Sequence, residues 1–220
     1  MDFNAVTMAL SYILKGMKYT LIISVSSIII ASILGILIWQ LLVSKSKFLR
    51  ALALIYSKLF RCVPFMIQAY IVYYSLPTLG IKLSAEIVGI ICLSLYNAAY
   101  VGMILESGMR SIPKGQFEAA KALNISKLKT VIRIILPQMI SIVMPPLSGQ
   151  FITAVKDSSV LSVITVCEMT MMANQVIKYT FSPFEVYIVL ALAYWLINII
   201  IERISKFMEK RASKKNVKAG

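Results

Sequence analysis

Five long apolar stretches constrain the fold of this chain more than any other feature of its sequence. They are Thr20–Val43, Leu52–Leu76, Ala85–Met109, Thr130–Val155 and Phe184–Ile204. Each has about 20 residues or more, the length at which an α-helix crosses the roughly 30 Å hydrocarbon core of a bilayer. Hydrophobic residues make up 59% of the chain, above the apolar content of about half found in soluble domains. The pattern predicts one all-α integral membrane domain with about five spans, embedded in the lipid bilayer of the cell membrane.

The basic residues indicate how the spans are oriented. Lys and Arg number 23 against 9 acidic residues, which gives a net charge of +14. On a soluble chain this excess would suggest nucleic acid as a partner, but here the cations flank the spans and no nucleic-acid partner is predicted. Short cytoplasmic loops are rich in Lys and Arg, and in a five-span arrangement the three most basic regions, 45–61, 110–133 and 203–218, share one side. The N-terminus is therefore predicted outside and the C-terminus in the cytoplasm.

This arrangement divides the chain into three regions. Residues 1–19 form an N-terminal extracellular segment, residues 20–205 the transmembrane domain, and residues 206–220 a basic cytoplasmic tail. Between the last two spans, Lys156–Pro183 begins polar and continues with the short apolar run Val160–Val166. Seven residues cannot cross a bilayer. We expect a short helix at the outer end of the bundle or a re-entrant piece.

The chain lacks the residues that most kinds of catalysis need. It contains no histidine, which excludes His-based zinc sites, haem ligation and Ser-His chemistry. Its three cysteines, Cys62, Cys92 and Cys167, are widely spaced and odd in number, which argues against a disulfide framework or a zinc site. The phosphate-binding pattern G-x-x-x-x-G-K-[ST] is also missing. We predict no catalytic residue, metal or cofactor on this chain, so any ATP that drives it must be bound by another chain.

The connection 111–129 is longer than a simple link between two spans needs to be. Pro113 suits the first position of a helix, and Asn124 tolerates the left-handed conformation that ends helices. Ser126 can then cap a second helix that runs into the fourth span. The pattern predicts a helix–turn–helix elbow on the cytoplasmic face.

Several residues of the elbow suit contact with another protein. Ala119 and Ala120 present a small surface for close approach, while Phe117 and Leu123 are candidates for insertion into a partner's groove. Glu118 can contact the partner, and it can also accept hydrogen bonds from backbone donors at the start of the second helix.

The elbow resembles the cytoplasmic coupling loop of binding-protein-dependent ABC importer permeases. The pattern of that loop is Glu-Ala-Ala, three residues, Gly, nine residues, and Ile-x-Leu-Pro. The chain has Glu118-Ala119-Ala120, then Asn124 where glycine is usual, then Ile134-x-Leu136-Pro137 at the matching distance. Asparagine for glycine is a mild departure because both residues enter left-handed turns. The resemblance implies the fold of a type I ABC importer permease.

Other segments are similar to the polar amino-acid branch of that family, and they cover most of the chain from the second span onward. They are Arg61-Cys62-Val63-Pro64 with Gln68, Tyr73-Tyr74-Ser75-Leu76-Pro77, Lys114-Gly115-Gln116 and Lys156-Asp157-Ser158-Ser159-Val160. One stretch departs from the branch: Met103 stands where an acidic residue is usual, and Glu106 stands near the usual place of a cation. The resemblance to the amino-acid branch holds despite this departure, but the sequence does not identify the substrate.

The resemblance implies a permease subunit that forms the translocation pathway of an ATP-driven amino-acid importer. It implies a second permease chain, identical or similar, an ATP-binding cassette ATPase dimer that holds ATP and Mg²⁺, and a substrate-binding protein outside. The coupling contacts that it implies are Gly115, Phe117, Glu118, Ala119, Ala120, Leu123 and Asn124. Cystine or another small zwitterion is the alternative substrate. An ATP-independent channel or facilitator, or a membrane scaffold that moves nothing, is the alternative class.

Polar groups inside spans are costly, so they are functional candidates by default. The candidates for the pathway are Arg61, Gln68, Asn97, Tyr100, Gln150, Asp157 and Ser158. A zwitterionic amino acid needs one partner for its carboxylate and another for its ammonium, and Arg61 and Asp157 have the right charges. Structural alternatives stay open, because Arg61 can snorkel to the cytoplasmic interface and Asp157 can cap a short outer helix. The three amides can instead join helices by hydrogen bonds.

Overall fold

The computed structural model describes residues 2–217, without the side chains of residues 208 and 210–217. Residues 218–220 of the predicted basic tail lie outside the described residues. The helices are α1 (Phe3–Leu42), α2 (Lys47–Cys62), α3 (Phe65–Thr78), α4 (Ala85–Arg110), α5 (Lys114–Ala122), α6 (Lys127–Thr130), a π-helical turn (Val131–Ile135), α7 (Leu136–Asp157), a 3-10 helix (Ser158–Ile164), α8 (Met169–Thr180) and α9 (Pro183–Val217).

Within residues 2–217, four helical segments are long and apolar enough to cross a membrane, and a bent pair of helices can make a fifth span. The four are Phe3–Leu42, Ala85–Arg110, Lys127–Ile164 and Pro183–Phe207. The bent pair is α2 and α3, whose axes differ in direction by 102°. The predicted fold class, an all-α membrane domain with about five spans, is confirmed.

The first span differs from the prediction at its start. α1 begins at Phe3 rather than Thr20, because the side chain of Asp2 caps it by accepting hydrogen bonds from two backbone N–H groups, at 2.9 and 3.2 Å. Lys15 and Lys18 interrupt the apolar pattern here, but both lie on the exposed side of the helix. The buried side has a residue every three or four positions: Ala5, Ala9, Ile13, Gly16 and Thr20. Most of the predicted N-terminal segment is therefore a helix continuous with the first span.

The second span is broken at Pro64. A proline disfavours the helical conformation of the residue before it, and Val63 accordingly adopts an extended backbone with φ −94° and ψ 132°. The expectation of one continuous span over Leu52–Leu76 is therefore corrected to two helices that meet at a sharp bend.

The fourth span runs through three prolines as one helical segment, Lys127–Ile164. Pro137 lacks the N–H that would bond to the carbonyl four residues earlier, and the π-helical turn ends two residues before it, at Ile135. A π-turn shifts the hydrogen-bond pattern by one residue, which accommodates the missing donor. Pro145 and Pro146 lie inside α7. The elbow is therefore joined to α7 without an unstructured link.

Small residues let α1 pack closely along α4. A Cβ atom added to Gly102 would lie 3.3 Å from the carbonyl oxygen of Gly35, and the Ser27 hydroxyl donates to the carbonyl of Ile90 at 3.3 Å. Small side chains are the usual means by which helices approach each other in a bilayer. α2, α3 and α8 pack around this central pair.

The segment Lys156–Pro183 contains two short helices, the 3-10 helix and α8. Thr165 ends the 3-10 helix with a left-handed backbone, φ +66°. Leu161 and Ile164 of the 3-10 helix are fully buried, and Leu161 packs beside Gly89 of α4. The prediction of a short helix here is confirmed, while its depth relative to the membrane stays a prediction.

Replacing Gly16 with alanine should destabilise the fold. A Cβ atom there would lie 2.8 Å from the backbone nitrogen and Cα of Met169 and 2.9 Å from the carbonyl carbon of Glu168. Backbone atoms cannot give way as a flexible side chain can, so we expect a loss of about 1–3 kcal/mol. The measurement is the thermal unfolding temperature of the purified protein in detergent.

Gly149→Ala is the matched control, because no atom lies within 4 Å of a Cβ atom at Gly149. Alanine is the better helix former, so this variant should be as stable as the unmodified protein or slightly more stable. Equal unfolding temperatures for the two variants would contradict the packing described for Gly16.

Candidate functional site

Arg61, near the end of α2, reaches the middle part of α4. Its guanidinium carbon lies 5.3 Å from the centroid of the Tyr100 ring, within the range of a cation–π contact. Tyr100 precedes Arg110, the last residue of α4, by ten residues, or about 15 Å of helix. Arg61 therefore contacts a residue inside the third span, well away from the Arg110 end of that span.

Two tyrosines of α4 extend this contact. The hydroxyls of Tyr96 and Tyr100 are 3.2 Å apart, and their ring centroids are 5.2 Å apart. Phe65, the first residue of α3, packs on Tyr96 with 5.0 Å between ring centroids. The bend between α2 and α3 is therefore placed against an aromatic surface of α4.

Asp157 ends α7, and its carboxylate interacts electrostatically with Tyr96. It occupies the N-cap position of the 3-10 helix, but its side chain makes no capping hydrogen bond. One carboxylate oxygen, Oδ2, is buried and has no hydrogen-bond partner among the described residues. A buried oxygen of this kind is costly unless it is paired. The structure therefore does not support the capping alternative.

Arg61 thus contacts Tyr100, and the opposite charge of Asp157 acts electrostatically on Tyr96. A guanidinium binds a carboxylate, and a carboxylate binds an ammonium, through charge-assisted hydrogen bonds. Tyrosine rings add an apolar surface with a polar edge. Arg61 is exposed in the single chain, so this group can be reached from one side. We call Arg61, Tyr96, Tyr100 and Asp157 the charged tyrosine group.

Gln68 holds the bend of the second span. Its side-chain nitrogen donates to the carbonyls of Phe60 at 2.9 Å and Val63 at 2.8 Å, which joins α2 to α3. Both carbonyls lie near the break, where the helical hydrogen-bond ladder is interrupted. These contacts fit the structural alternative for Gln68, because both amide hydrogens are used within the protein.

Asn97 and Gln150 join α4 to α7. The Gln150 side-chain nitrogen donates to the side-chain oxygen of Asn97 at 2.8 Å, and Asn97 donates to a carbonyl of its own helix at 2.8 Å. Ser158 is fully buried, and its hydroxyl donates to the carbonyl of Val155 at 2.7 Å. All three predicted pathway residues therefore have partners inside the chain.

Glu168 is a candidate that the sequence prediction missed. Its side chain is fully buried. Its Oε1 accepts a hydrogen bond from the N–H of Met171 at 2.8 Å, and its Oε2 accepts one from the Tyr194 hydroxyl at 2.8 Å. Burial raises the pKa of Glu168, and the donated hydrogen bonds oppose that rise. The sequence did contain a signal for Glu168: it is an acidic residue within a largely apolar stretch. Polar groups in such stretches are costly, so Glu168 is a functional candidate for the same reason as the predicted pathway residues.

The elbow has the backbone geometry that its sequence predicts. Asn124 follows α5 with φ +56°. Its N–H donates to the carbonyl of Lys121, and the N–H of Ile125 donates to the carbonyl of Ala120, both at 3.0 Å. This pair of bonds is the Schellman motif that ends helices. Ser126 occupies the N-cap position of α6, but its side chain makes no capping hydrogen bond.

Most of the predicted coupling residues lie on the surface of the elbow. The exposed ones are Gly115, Phe117, Glu118, Ala119, Leu123 and Asn124. Leu123 is 73% exposed, whereas Ala120 is only 2% exposed. The expectation that Ala120 presents a surface to a partner is therefore corrected: it packs inside the chain. Within the described part of the chain, Glu118 makes no hydrogen bond or ion pair, so its carboxylate does not cap the second helix.

The elbow is held against the spans by polar and apolar contacts. Pro113 occupies the N-cap of α5, one position before its predicted place. Ile112 is buried in an apolar cluster with Ile135 of the π-turn and Met139 of α7. The side chains of Gln116 and Gln138 are joined by a hydrogen bond of 3.3 Å. A cavity of about 570 Å³ lies in the angle between α5 and α6.

The two positions that depart from the family pattern have partners within the chain. Glu106 forms an ion pair with Arg110, one turn later on α4. Met103 packs against an apolar cluster that includes Ala31 and Ala98. Both side chains therefore have structural roles in α4.

A bent second span, a fourth span that begins at a helix–turn–helix elbow, and a charged group between helices define a class of protein, the helical permease component of a transport system. The family model described as "Binding-protein-dependent transport system inner membrane component" matches residues 27–214, and the chain belongs to this family.

Relatives agree with this family. The chain is 37% identical over 200 residues to the "Probable amino-acid ABC transporter permease protein YckA" of Bacillus subtilis, covering 91% of this chain and 88% of YckA. It is 32% identical over 204 residues to the "Probable glutamine ABC transporter permease protein GlnM" of the same organism, covering 93% and 94%. A chain in the crystal structure of an amino acid ABC transporter with histidines is 26% identical, with a TM-score of 0.89 and coverage of 96% and 99%.

Replacing Gln68 with leucine should destabilise the bend of the second span. The change leaves the carbonyls of Phe60 and Val63 without their side-chain donor, which we expect to cost about 1–3 kcal/mol. The thermal unfolding temperature in detergent measures this loss. Gln40→Leu is the control, because Gln40 lies exposed on α1. If both variants unfold at the temperature of the unmodified protein, Gln68 does not hold the bend.

Proposed function

We propose that the chain is the permease subunit of an ATP-driven importer of a small zwitterionic amino acid. The observation that carries the proposal is the charged tyrosine group, in which Arg61 and Asp157 offer opposite charges within the spans. A free amino acid carries one carboxylate and one ammonium, so it matches this pair. The relatives support the same substrate class, because one is named as a probable amino-acid transporter permease and the other as a probable glutamine transporter permease.

Each member of the group has a distinct role in the proposal. Arg61 binds the carboxylate of the solute, for which its planar guanidinium is suited. Asp157, whose side chain is half-buried, accepts hydrogen bonds from the ammonium through its carboxylate. Tyr96 and Tyr100 cover the apolar atoms of the solute between the two charges. Binding by two opposite charges also favours a zwitterion over an inorganic ion of either sign, because an ion pairs only one of the two charges.

The elbow is proposed to receive the motion of a separate ATPase, which holds ATP and Mg²⁺ and carries out the hydrolysis. The exposed side chains of Leu123 and Glu118 contact the ATPase. The elbow is joined to α7 and passes its motion to that helix. Because Lys127–Ile164 is one helical segment, a shift of the elbow displaces Asp157 near the far end of the same segment. Arg61 lies on α2, which is a different element. The shift therefore changes the separation of the two charges and releases the solute, a rigid-body mechanism.

A second permease chain, identical or similar, is proposed to close the pathway. Arg61 is exposed in the single chain, and a pathway open along one side to lipid could not shield a charged solute. A substrate-binding protein delivers the solute on the side of the N-terminus, which we place outside, and the basic C-terminal part of the chain lies in the cytoplasm. Cystine or another small zwitterion is the alternative substrate.

Uptake of a panel of labelled amino acids, including cystine, tests the proposal in cells with and without this gene. We expect the gene to confer uptake of one amino acid, and ATP depletion to abolish that uptake. Uptake that continues after ATP depletion would indicate the alternative class, a channel or facilitator. No change for any amino acid, with the chain present in the membrane beside its ATPase, would contradict the proposed substrate class.

Two variants assign this uptake to the charged tyrosine group. Arg61→Gln and Asp157→Asn each remove one charge, and each should lower uptake at least tenfold, since the solute then leaves one of its own charges unpaired. Lys58→Gln is the matched control, because it removes an exposed charge from the same helix as Arg61. Equal uptake by Arg61→Gln and Lys58→Gln would remove Arg61 from the binding group.

The elbow variant Glu118→Lys should weaken docking of the ATPase while leaving insertion in the membrane intact. Glu118 is the one acidic residue among the basic residues of 110–133, so its reversal changes the charge pattern of the exposed face. The measurement is the amount of ATPase that copurifies with the tagged permease. Glu86→Lys, a reversal at the opposite end of α4, is the control. Full copurification and full uptake with Glu118→Lys would show that this carboxylate is not a coupling contact.

A further inference from the structure

The buried carboxylate of Glu168 joins parts of the chain that the pathway residues do not connect. It begins α8 by capping the N–H of Met171, and it is bonded to Tyr194 of α9. The Tyr194 hydroxyl also lies 3.4 Å from the hydroxyl of Thr170. Removing a partner from a buried hydrogen-bonded group leaves a costly unsatisfied donor or acceptor. Glu168 therefore fixes the start of α8 to the side of α9.

α1 fixes the same point from the other side. The Thr20 hydroxyl accepts a hydrogen bond from the N–H of Met169 at 3.2 Å, and both groups are buried. Gly16 lies against the backbone of Glu168 and Met169, with no room for a Cβ atom. The backbone at Glu168 is thus held between α1 and α9.

Only a short stretch of chain separates this point from Asp157. The 3-10 helix follows Asp157 directly, and its residues Leu161 and Ile164 are fully buried. The turn after it is closed by hydrogen bonds from the N–H of Val166 to the carbonyl of Leu161, at 3.3 Å, and from the N–H of Glu168 to the carbonyl of Val166, at 2.8 Å. The position of Glu168 therefore restricts where the 3-10 helix, and Asp157 before it, can lie.

We propose that Glu168 and Tyr194 form a latch that holds the 3-10 helix in place and so positions Asp157 for the solute. Both are positioning residues, since neither belongs to the charged tyrosine group. The latch itself stands on the contacts of Glu168, whereas its effect on transport rests on the proposed function.

The first test measures amide hydrogen exchange of the full transporter in lipid nanodiscs. Tyr194→Phe removes only the hydroxyl that binds Glu168, and we expect exchange in residues 158–168 to become at least tenfold faster. Tyr187→Phe is a close control, because the Tyr187 hydroxyl also joins α9 to α8, through Asn174 at 3.1 Å, but it lies exposed. Equal exchange in the two variants would overturn the latch.

The second test measures uptake of the labelled amino acid that the unmodified transporter takes up. With Tyr194→Phe we expect the apparent KM to rise at least fivefold while the maximal rate stays within twofold, because Asp157 is displaced and the ATPase is not touched. Glu168→Gln, which keeps an oxygen acceptor of the same size, should show a smaller rise than Glu168→Ala. Faster exchange with unchanged KM would overturn the positioning role and leave a purely structural contact.

The two tests separate the latch from the proposed function. Failure of the unmodified transporter to take up any amino acid counts against the proposed substrate, and the exchange measurement still decides whether the latch exists. If Tyr194→Phe does not fold, the exchange measurement is made on Glu168→Ala, which removes the acceptor of the Tyr194 hydroxyl together with the cap of α8. Unchanged exchange there would equally overturn the latch.

Discussion

A backbone group inside hydrocarbon has no water to bond to, so each irregularity in a membrane-spanning helix must be satisfied by the protein itself. This constraint explains the placement of several polar side chains in the chain. Gln68 bonds to two carbonyls at the break before Pro64, and Glu168 caps α8 where the chain turns back after the 3-10 helix. At the π-turn before Pro137, the side chain of Gln138 donates to the carbonyl of Ile134 at 2.8 Å. Breaks in the helices are therefore placed where a partner within the protein is available.

The same breaks divide the molecule into parts that can move against each other. α2 and α3 meet at 102°, so the end of α2 that carries Arg61 is set by the bend. Asp157 belongs to the long segment that starts at the elbow. Arg61 and Asp157, the two charges of the proposed site, therefore belong to helical segments that can move separately. α4, with its tyrosines, lies between them. A site built across two elements changes when either one moves, whereas a site on a single helix would not.

The features that could be predicted from the sequence are those fixed by local chemistry. The length and composition of the apolar stretches determine the number of spans. Asn124 determines the end of α5, because asparagine tolerates the left-handed backbone conformation. The roles of Gln68 and Asn97 could not be predicted, because a polar residue in a span looks the same in sequence whether it binds a solute or a neighbouring helix. Ala119 and Ala120 show the same limit: they are adjacent in a nine-residue helix, and only the rotation of that helix decides which one is buried. The sequence prediction starts the first helix too late, because the average hydropathy of this stretch is lowered by Lys15 and Lys18. Both lysines lie on the exposed side of α1, so they do not interrupt its buried face.

The close contact of Gly16 with the backbone at Glu168 and Met169 has a consequence for biogenesis. α1 is synthesised first, yet the elements that cover its first third, α8 and α9, are about 150 residues further along the chain. Contacts of such separation form late, after the loop between them has been closed at an entropic cost. Until then the small-residue face of α1 is open to lipid or to other nascent helices. Assembly of this protein therefore depends on keeping the first third of α1 unpaired until α8 and α9 have been made.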